Sequence, residues 1–274
     1  MILEPKGPPM DEHERYLFDT LGYLVVPDVI DADEVAELNR LLDDYDLWGR
    51  AERGELEDLW SNDSRFISGG RPHTWHPPFR RLIEHPVILG YLRELIGPQA
   101  RYDHGHMILM REGSTRLGLH GGGTPFLPDS YYLYRNERMY NGLVAVAISL
   151  VDASEADGGF VAIPGSHKAN LPCPEDYANL EAVGPWVHHV PVTAGSAVVF
   201  TEALTHGTWP WTAEYERRAI FLKYSAPHSA WADDYPSADD APGVESTETM
   251  RLLLQRPYVA SPNGERKEAI TAGG

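Results

Sequence analysis

Short β-type runs after residue 101, the Gly-, Pro- and Asp-rich turns between them, and helical signals confined to the region before residue 97 predict the fold class. It is mainly β, a double-stranded β-helix (jelly roll) flanked by N-terminal helices. The candidate strands are Met107 to Arg111, Leu143 to Val151, Phe160 to Ile163, Val187 to Val190, Ala197 to Phe200 and Ala219 to Tyr224. Glu112-Gly113, Asp157-Gly158-Gly159, Pro164-Gly165-Ser166 and Ala194-Gly195 punctuate them. The chain has 274 residues, 42% of them hydrophobic, enough for one sizeable core. The expectation is a single domain over 1–274, with helices over about 11–97, a β core over about 101–226 and an extension over 227–274.

The elements follow in order. Asp11 to Leu21 reads as a short, acid-capped helix with Tyr16, Leu17 and Leu21 on one face. Gly22 ends it, and Tyr23-Leu24-Val25-Val26 reads as a strand stopped by Pro27. Asp31 opens a stronger helix, because Asp31 and Glu34 have capping-box spacing and Val35, Leu38, Leu41 and Leu42 follow a helical period. Residues 48–80 show no clean period; Trp60, Pro72, Trp75, Pro77 and Pro78 among arginines predict a long, loop-rich excursion on the substrate side. Pro86 starts another helix running through Leu89, Leu92 and Leu95 to Gly97-Pro98. Beyond 235 the chain is rich in Asp, Ser and Gly; its one apolar run, Met250 to Leu254, is expected to dock, and the last dozen residues to fray.

Charge narrows the partners. With 41 acidic and 23 basic residues the net charge is −18, which argues against nucleic-acid polymers and anionic membranes. A small-molecule substrate, even an anionic one held by a few local arginines, stays compatible. Cys173 is the only cysteine, so no intrachain disulfide forms, and a cytoplasmic setting fits. No signal peptide is expected in Met1 to Met10, and no apolar stretch reaches membrane-spanning length. Nothing in the pattern specifies an oligomeric state.

The chemistry-bearing pattern is two distant histidines and an arginine. His120 lies in Leu119-His120-Gly121-Gly122-Gly123; His206 follows 86 positions later, and Arg217 comes 11 after that. An iron(II) oxygenase holds its metal with few protein ligands, two imidazoles and one carboxylate on one octahedral face, so that a 2-oxo acid and O2 can bind. In a His-x-Asp pair at a strand end both side chains share a face, because strand residues two apart point the same way. Here Gly122 stands where that carboxylate would be.

The wider text resembles the phytanoyl-CoA dioxygenase family of iron(II)/2-oxoglutarate enzymes over about residues 14–226. The resemblance rests on Asp19-Thr20-Leu21-Gly22-Tyr23-Leu24-Val25-Val26-Pro27, Ala156-Asp157-Gly158-Gly159-Phe160, Ile163-Pro164-Gly165-Ser166-His167-Lys168, Ala194-Gly195-Ser196-Ala197-Val198-Val199-Phe200, His206-Gly207-Thr208 and Arg217-Arg218-Ala219-Ile220. It implies that His120 and His206 bind Fe(II) and that Arg217 pairs with the far carboxylate of 2-oxoglutarate. A planar guanidinium suits that role. Strand alternation puts only one of Arg217 and Arg218 inside, and the family spacing favours Arg217.

The glycine leaves three readings open. In the first, chloride fills the vacancy beside Gly122, as in the freestanding His-x-Gly halogenases that this sequence resembles, and an aliphatic C–H of a small molecule such as a nucleotide or nucleoside is chlorinated. In the second, Glu202 or another acid supplies the third ligand and the enzyme is a hydroxylase. Glu202 is four residues before His206, a separation of roughly 13 Å on a straight strand, so this needs a bend over 202–205. In the third, the fold merely binds a small molecule. The glycines can also serve a turn of positive φ under any reading.

Other residues compete for the pocket. Tyr131, Tyr132, Tyr134, Arg135, Arg138 and Tyr140 form an aromatic-basic stretch that suits an aromatic, anionic substrate, although core packing is the bland alternative. Arg65, Arg71 and His73 offer the same chemistry. His167 reads as a turn residue near the pocket, and Trp209 and Trp211 as shields against bulk water. His104-Gly105-His106 is a same-face pair, either a metal pair or pocket lining, with no second motif to complete a metal site. His188 and His189 point oppositely on a strand and do not share a metal.

Overall fold

The computed structural model describes residues 10–56, 58–237, 240 and 246–259. The expectations for residues 1–9 and for the final dozen residues lie outside these. The capping residues act as their spacing predicts. The Glu14 backbone N–H donates to the Asp11 carboxylate at 2.8 Å and the Asp11 N–H donates to Glu14 at 2.9 Å, opening α1 (Glu12–Leu21). Gly22, at φ +85, closes it and feeds β1 (Tyr23–Val26). Asp31 and Glu34 repeat the box at α2 (Ala32–Tyr45), which buries Leu38 and Leu42.

The stretch expected to be loop is built of small elements instead. It holds α3 (Leu47–Glu52), a hairpin of β2 (Leu59–Asn62) and β3 (Phe66–Gly69), α4 (Pro72–Trp75) and α5 (Pro77–Arg81). Each is four to six residues long, too short for a hydrophobic period to register. Then come α6 (Pro86–Leu95), β4 (Arg101–Met110), β5 (Leu117–His120), β6 (Tyr132–Arg135), β7 (Arg138–Asn141), β8 (Leu143–Ser149), β9 (Gly159–Ala162), α7 (Glu175–Ala178), β10 (His188–His189), β11 (Ala197–Thr201), β12 (His206–Trp209), β13 (Arg217–Ser225) and α8 (Glu248–Leu253). The apolar run near 250 docks through Met250 and Leu253, both buried.

Antiparallel strands form two main sheets. One has seven strands in the order β1-β11-β8-β13-β4-β3-β2, the other four in the order β10-β9-β12-β5. The pleat divides the large sheet's residues between two cores. Val144, Val146, Ile148, Ile220, Leu222 and Tyr224 pack outward with Phe18, Leu38, Leu89 and Leu92 of the helices. Ile108, Met110, Ala145, Ala147, Phe200, Ala219 and Phe221 pack inward with Phe160 and Ala162 of the small sheet. Fully burying such an aliphatic or aromatic side chain contributes about 1.5–3 kcal/mol, so the outer core fastens the helices while the inner one joins the sheets. No described helix is long and apolar enough to cross a membrane.

Candidate functional site

Strand alternation selects the site's side chains. On β13 Arg217, Ala219, Phe221 and Lys223 share the inner face; on β11 Val198 and Phe200 do, and Glu202 continues the series just past the strand end. After Thr201 the chain turns, with the Leu204 N–H donating to the Thr201 carbonyl at 2.9 Å, and re-enters the small sheet at His206. This is the bend that Glu202 needs to face the histidines. In the small sheet His206 pairs directly with His120 of β5, and their ring centroids lie 4.3 Å apart.

Both imidazoles are oriented by backbone. His120 Nδ1 lies 3.1 Å from the Gly118 carbonyl oxygen and His206 Nδ1 lies 2.7 Å from that of Leu204. A carbonyl only accepts, so each Nδ1 carries a proton, and in a neutral ring held this way Nε2 is the nitrogen with the lone pair. Metal-binding histidines are commonly held this way. Burial, then the nearby His120, push the His206 pKa down to about 3, which keeps the ring neutral.

The histidines open into a cavity of about 300 Å³ that also takes in Glu202, Lys223, His106 and Asp129, with Phe160, Phe200 and Phe221 as apolar wall. Glu202 Oε1 lies 2.9 Å from Lys223 Nζ, both side chains nearly buried. Burial raises the Glu202 pKa, but the positive charge of Lys223 outweighs it and holds the carboxyl down at about 2. The donor chemistry suits a metal: the exposed His120, the buried His206 and an ionised Glu202 carboxylate line one cavity. Among the described residues, however, no group of three His, Cys, Asp or Glu side chains is gathered closely enough to form a metal cluster, and Glu202 is paired with Lys223.

Arg217 is buried and forms no ion pair with any described residue; its Nη1 lies 3.2 Å from Met110 Sδ. Burial alone pushes its pKa down to about 10, so a cation is held in the interior without an anion, which fits a site awaiting a carboxylate. Gly159, at φ +92, makes room for it, since a Cβ there would stand 3.3 Å from Arg217 Nε. Gly159 pairs with Trp209, three residues or roughly 10 Å along β12 from His206. Arg218 faces the other way, donating to Glu216, Asn39 and Asp43.

Gly122 does not open into the histidine cavity. It lines a neighbouring pocket with Ile163, Pro164, Cys173 and Thr205, and a Cβ there would meet Thr205 Oγ1 at 3.1 Å. Its positive φ of +114 turns the backbone this way. The residue nearer the histidines is Gly121.

The expected substrate residues disperse. Tyr134 and Arg138 line a separate cleft of about 520 Å³ beside α1 and α6. Arg135 is exposed on the β6–β7 hairpin, whose turn residues Asn136 and Glu137 both have positive φ. Tyr131 stacks on Phe126. His167 is fully packed, Nε2 bonded to the Asp19 carbonyl at 3.0 Å and its ring edge-on to Tyr132; burial, then Lys168, push its pKa down to about 4. Trp209 faces outward onto Leu119, Val161, Leu180 and Val187. Of the residues weighed less heavily, His106 does reach the cavity, stacked on Phe221; burial, then the charge of Lys223, push its pKa well down. Trp60 of β2 and Trp231 of the C-terminal extension also line the cavity. Trp60 lies in the excursion expected on the substrate side, whereas no motif marks Trp231. The one usable signal was large apolar residues in stretches too polar to bury them.

A model of the phytanoyl-CoA dioxygenase (PhyH) family matches residues 18–219. Among curated proteins, an ectoine dioxygenase of Streptomyces avermitilis is 28% identical over 157 residues, 56% of this chain and 50% of that protein. An ectoine dioxygenase of Streptomyces anulatus is 28% identical over 163 residues, 59% and 50% of the two. The chain thus spans about half the length of the curated relatives it matches. Among solved structures, HygX from Streptomyces hygroscopicus with nickel, 2-oxoglutarate and hygromycin B bound superposes with a TM-score of 0.68 at 25% identity, covering 85% of this chain and 95% of that one. The 2-oxoglutarate-dependent carbocyclase SnoK from nogalamycin biosynthesis shares the fold with a TM-score of 0.58 at 20% identity, over 83% and 92% of the chains.

Proposed function

Because the chain belongs to the phytanoyl-CoA dioxygenase family, we propose that it is an iron(II)/2-oxoglutarate-dependent oxygenase that oxidises a small molecule in the manner of a hydroxylase. On this reading the two sheets form the jelly roll of a single domain. The observation that carries the proposal is the pair of imidazoles, each with Nδ1 held by a backbone carbonyl and Nε2 free. His120 and His206 would hold the iron, and Arg217 the distal carboxylate of 2-oxoglutarate. Bound iron(II) and 2-oxoglutarate would supply the oxidising chemistry, with O2 as oxidant. The chain's own residues do the rest. The Leu204 and Gly118 carbonyls fix the imidazole tautomers. Phe160, Phe200 and Phe221 exclude water, and Lys223 keeps the Glu202 carboxylate ionised and in place.

Glu202 is the third donor in this proposal. Its carboxylate already stands in the histidine cavity, whereas Gly122 opens onto the neighbouring pocket. That contrast favours oxygenation over the chlorination expected from the glycine alone, since space at Gly122 is not space beside the histidines. The test is to load the protein anaerobically with Fe(II) and 2-oxoglutarate in chloride buffer, admit O2, and follow succinate and product mass. Succinate that disappears in His206→Ala, with products that gain oxygen and no halogen, is the expected result. A chlorinated product would sink the hydroxylase reading, and absence of succinate the oxygenase reading altogether.

A further inference from the structure

We infer that the cavity selects a positively charged, ring-bearing small molecule, a protonated amine on a cyclic framework stacked against Trp60 and Trp231. The inference rests on reading this cavity as the substrate site. Trp60 and Trp231 are 56% and 52% exposed, and their rings lie 6.1 Å apart at 73°. Both line the histidine cavity and also the adjoining cleft of about 490 Å³. Two indoles left half bare form a corner at the concave mouth, where His104 stacks on Trp231 at 4.8 Å and Lys223 Nζ already stands 6.0 Å from the same ring, a cation-π contact of the kind proposed for the substrate. Indole faces attract cations through the ring quadrupole and accept the flat side of a saturated ring.

Charge at the mouth has one sign to spare. The cleft carries Asp58, Asp233 and Asp234, and the cavity carries Asp129. The cations lining the two are already committed: Arg71 lies 2.6 Å from Asp58 and 2.6 Å from Asp234, and Lys223 pairs with Glu202. Asp129 and Asp233 have no ion-pair partner among the described residues. An entering amine therefore finds carboxylates without competing cations, and an entering anion finds the reverse. His106 adds an independent sign of a missing ligand. It is 5% exposed, lines the cavity, and its Nδ1 has no hydrogen-bond partner. On the cavity wall that nitrogen is placed to hydrogen-bond a polar group of an entering molecule. Of the residues expected to favour an anion, Tyr134 and Arg138 face a different cleft, and Arg71, in the adjoining one, is held by Asp58 and Asp234.

The test uses three matched probes, cyclohexane-1,3-diamine, cyclohexane-1,3-diol and cyclohexane-1,3-dicarboxylate, titrated calorimetrically at low salt into the intact protein and into Arg217→Ala, the latter removing the arginine proposed for 2-oxoglutarate so that probe selectivity is read at the cavity alone. The diamine is expected to bind at least tenfold more tightly than the diol, and the dicarboxylate more weakly than either. Trp60→Ala and Trp231→Ala should each weaken the diamine by about three- to thirty-fold. Asp233→Asn should weaken it and flatten its salt dependence. Equal binding of diamine and diol, preferred binding of the dicarboxylate, no saturable diamine binding, or indifference of the diamine to both tryptophan variants would each overturn the inference. Ni(II) and 2-oxoglutarate are titrated into the same preparations. Their failure to bind counts against the oxygenase reading while leaving the cavity's charge selectivity standing, and their binding without diamine selectivity counts against this inference alone.

Discussion

At the scale of single residues, the partner of an interior charge decides its cost. Glu202 and Lys223 are 10% and 13% exposed in their side chains and meet at 2.9 Å. Breaking a buried pair by deleting one partner costs about 3–5 kcal/mol, whereas replacing both by apolar groups of similar size is often close to neutral. Lys223→Met should therefore lower unfolding free energy by about that amount in urea titrations, and Glu202→Leu/Lys223→Met should recover most of it while lacking succinate formation. Recovery of both stability and turnover in the double variant would remove Glu202 from the proposed site. Arg217 is the opposite case, a cation with no internal anion. Arg217→Ala is expected to leave stability near wild type or higher and weaken 2-oxoglutarate by about 10- to 100-fold, since a charged hydrogen bond contributes about 1.5–3 kcal/mol. Calorimetric titration of the Ni(II)-loaded protein reads this directly, and unchanged affinity would dismiss Arg217 from its role.

Among the elements, the loop after β5 and the turn after β11 are locked to each other. Gly122 N–H donates to the Ala203 carbonyl at 2.9 Å. A Cβ on Gly121, at φ +80, would run into the Leu204 carbonyl oxygen and stand 2.8 Å from that of Glu202. The Leu204 carbonyl is also the acceptor that orients His206, so this close approach sets the site. Gly121→Ala should move the turn and weaken Ni(II) binding at least tenfold. Gly122→Asp, by contrast, should not tighten Ni(II), because its positive φ strains any side chain and its Cβ direction meets Thr205. Tenfold tighter Ni(II) in Gly122→Asp would show that the vacancy is at the metal after all. The capped helices were legible at this scale, because Asp11, Asp31 and Gly22 act on their own neighbours. The β2–β3 hairpin, β5 and β12 were not. Each is four residues long and owes its conformation to a partner strand far away in sequence.

Across the whole molecule, buried neutral histidines make stability depend on acid. His206 and His167 have pKa values near 3 and 4, and His106 lies well below its ordinary value. Each is depressed from an ordinary value of about 6.5, so below that pH the unfolded chain takes up protons the folded one refuses. The penalty is absent above about pH 7 and grows as pH falls through 6.5 towards the folded values. Each such proton costs about 1.4 kcal/mol per pH unit within that window. Glu202, depressed to about 2, adds to the loss below about pH 4.5 by the same sign. Metal-free protein should accordingly show a Tm that falls steadily from pH 7 to pH 5, and Ni(II) should flatten the upper part of that curve by competing with protons for His206. A Tm flat over that range would mean that these rings are not held neutral.

By itself the sequence determined what depends on short range and on pattern: the two helix caps, the strand-rich region after residue 101, and the motif positions that single out His120, His206 and Arg217 as candidates. Strand alternation admitted only one of Arg217 and Arg218 inside, and the spacing of the family that the sequence resembles favoured Arg217. Tertiary structure decided what depends on the path of the chain through space. It bent residues 202–204 so that Glu202 faces the histidines, and set Lys223 against it from β13. It turned Gly122 into the neighbouring pocket, and carried Tyr134 and Arg138 to another cleft. It brought Trp60 and Trp231, 171 positions apart in the chain, to one cavity mouth. A backbone that reverses direction on a glycine of positive φ erases the side-chain direction that a motif assumes, and strand pairing over such distances is fixed by the fit of whole sheets.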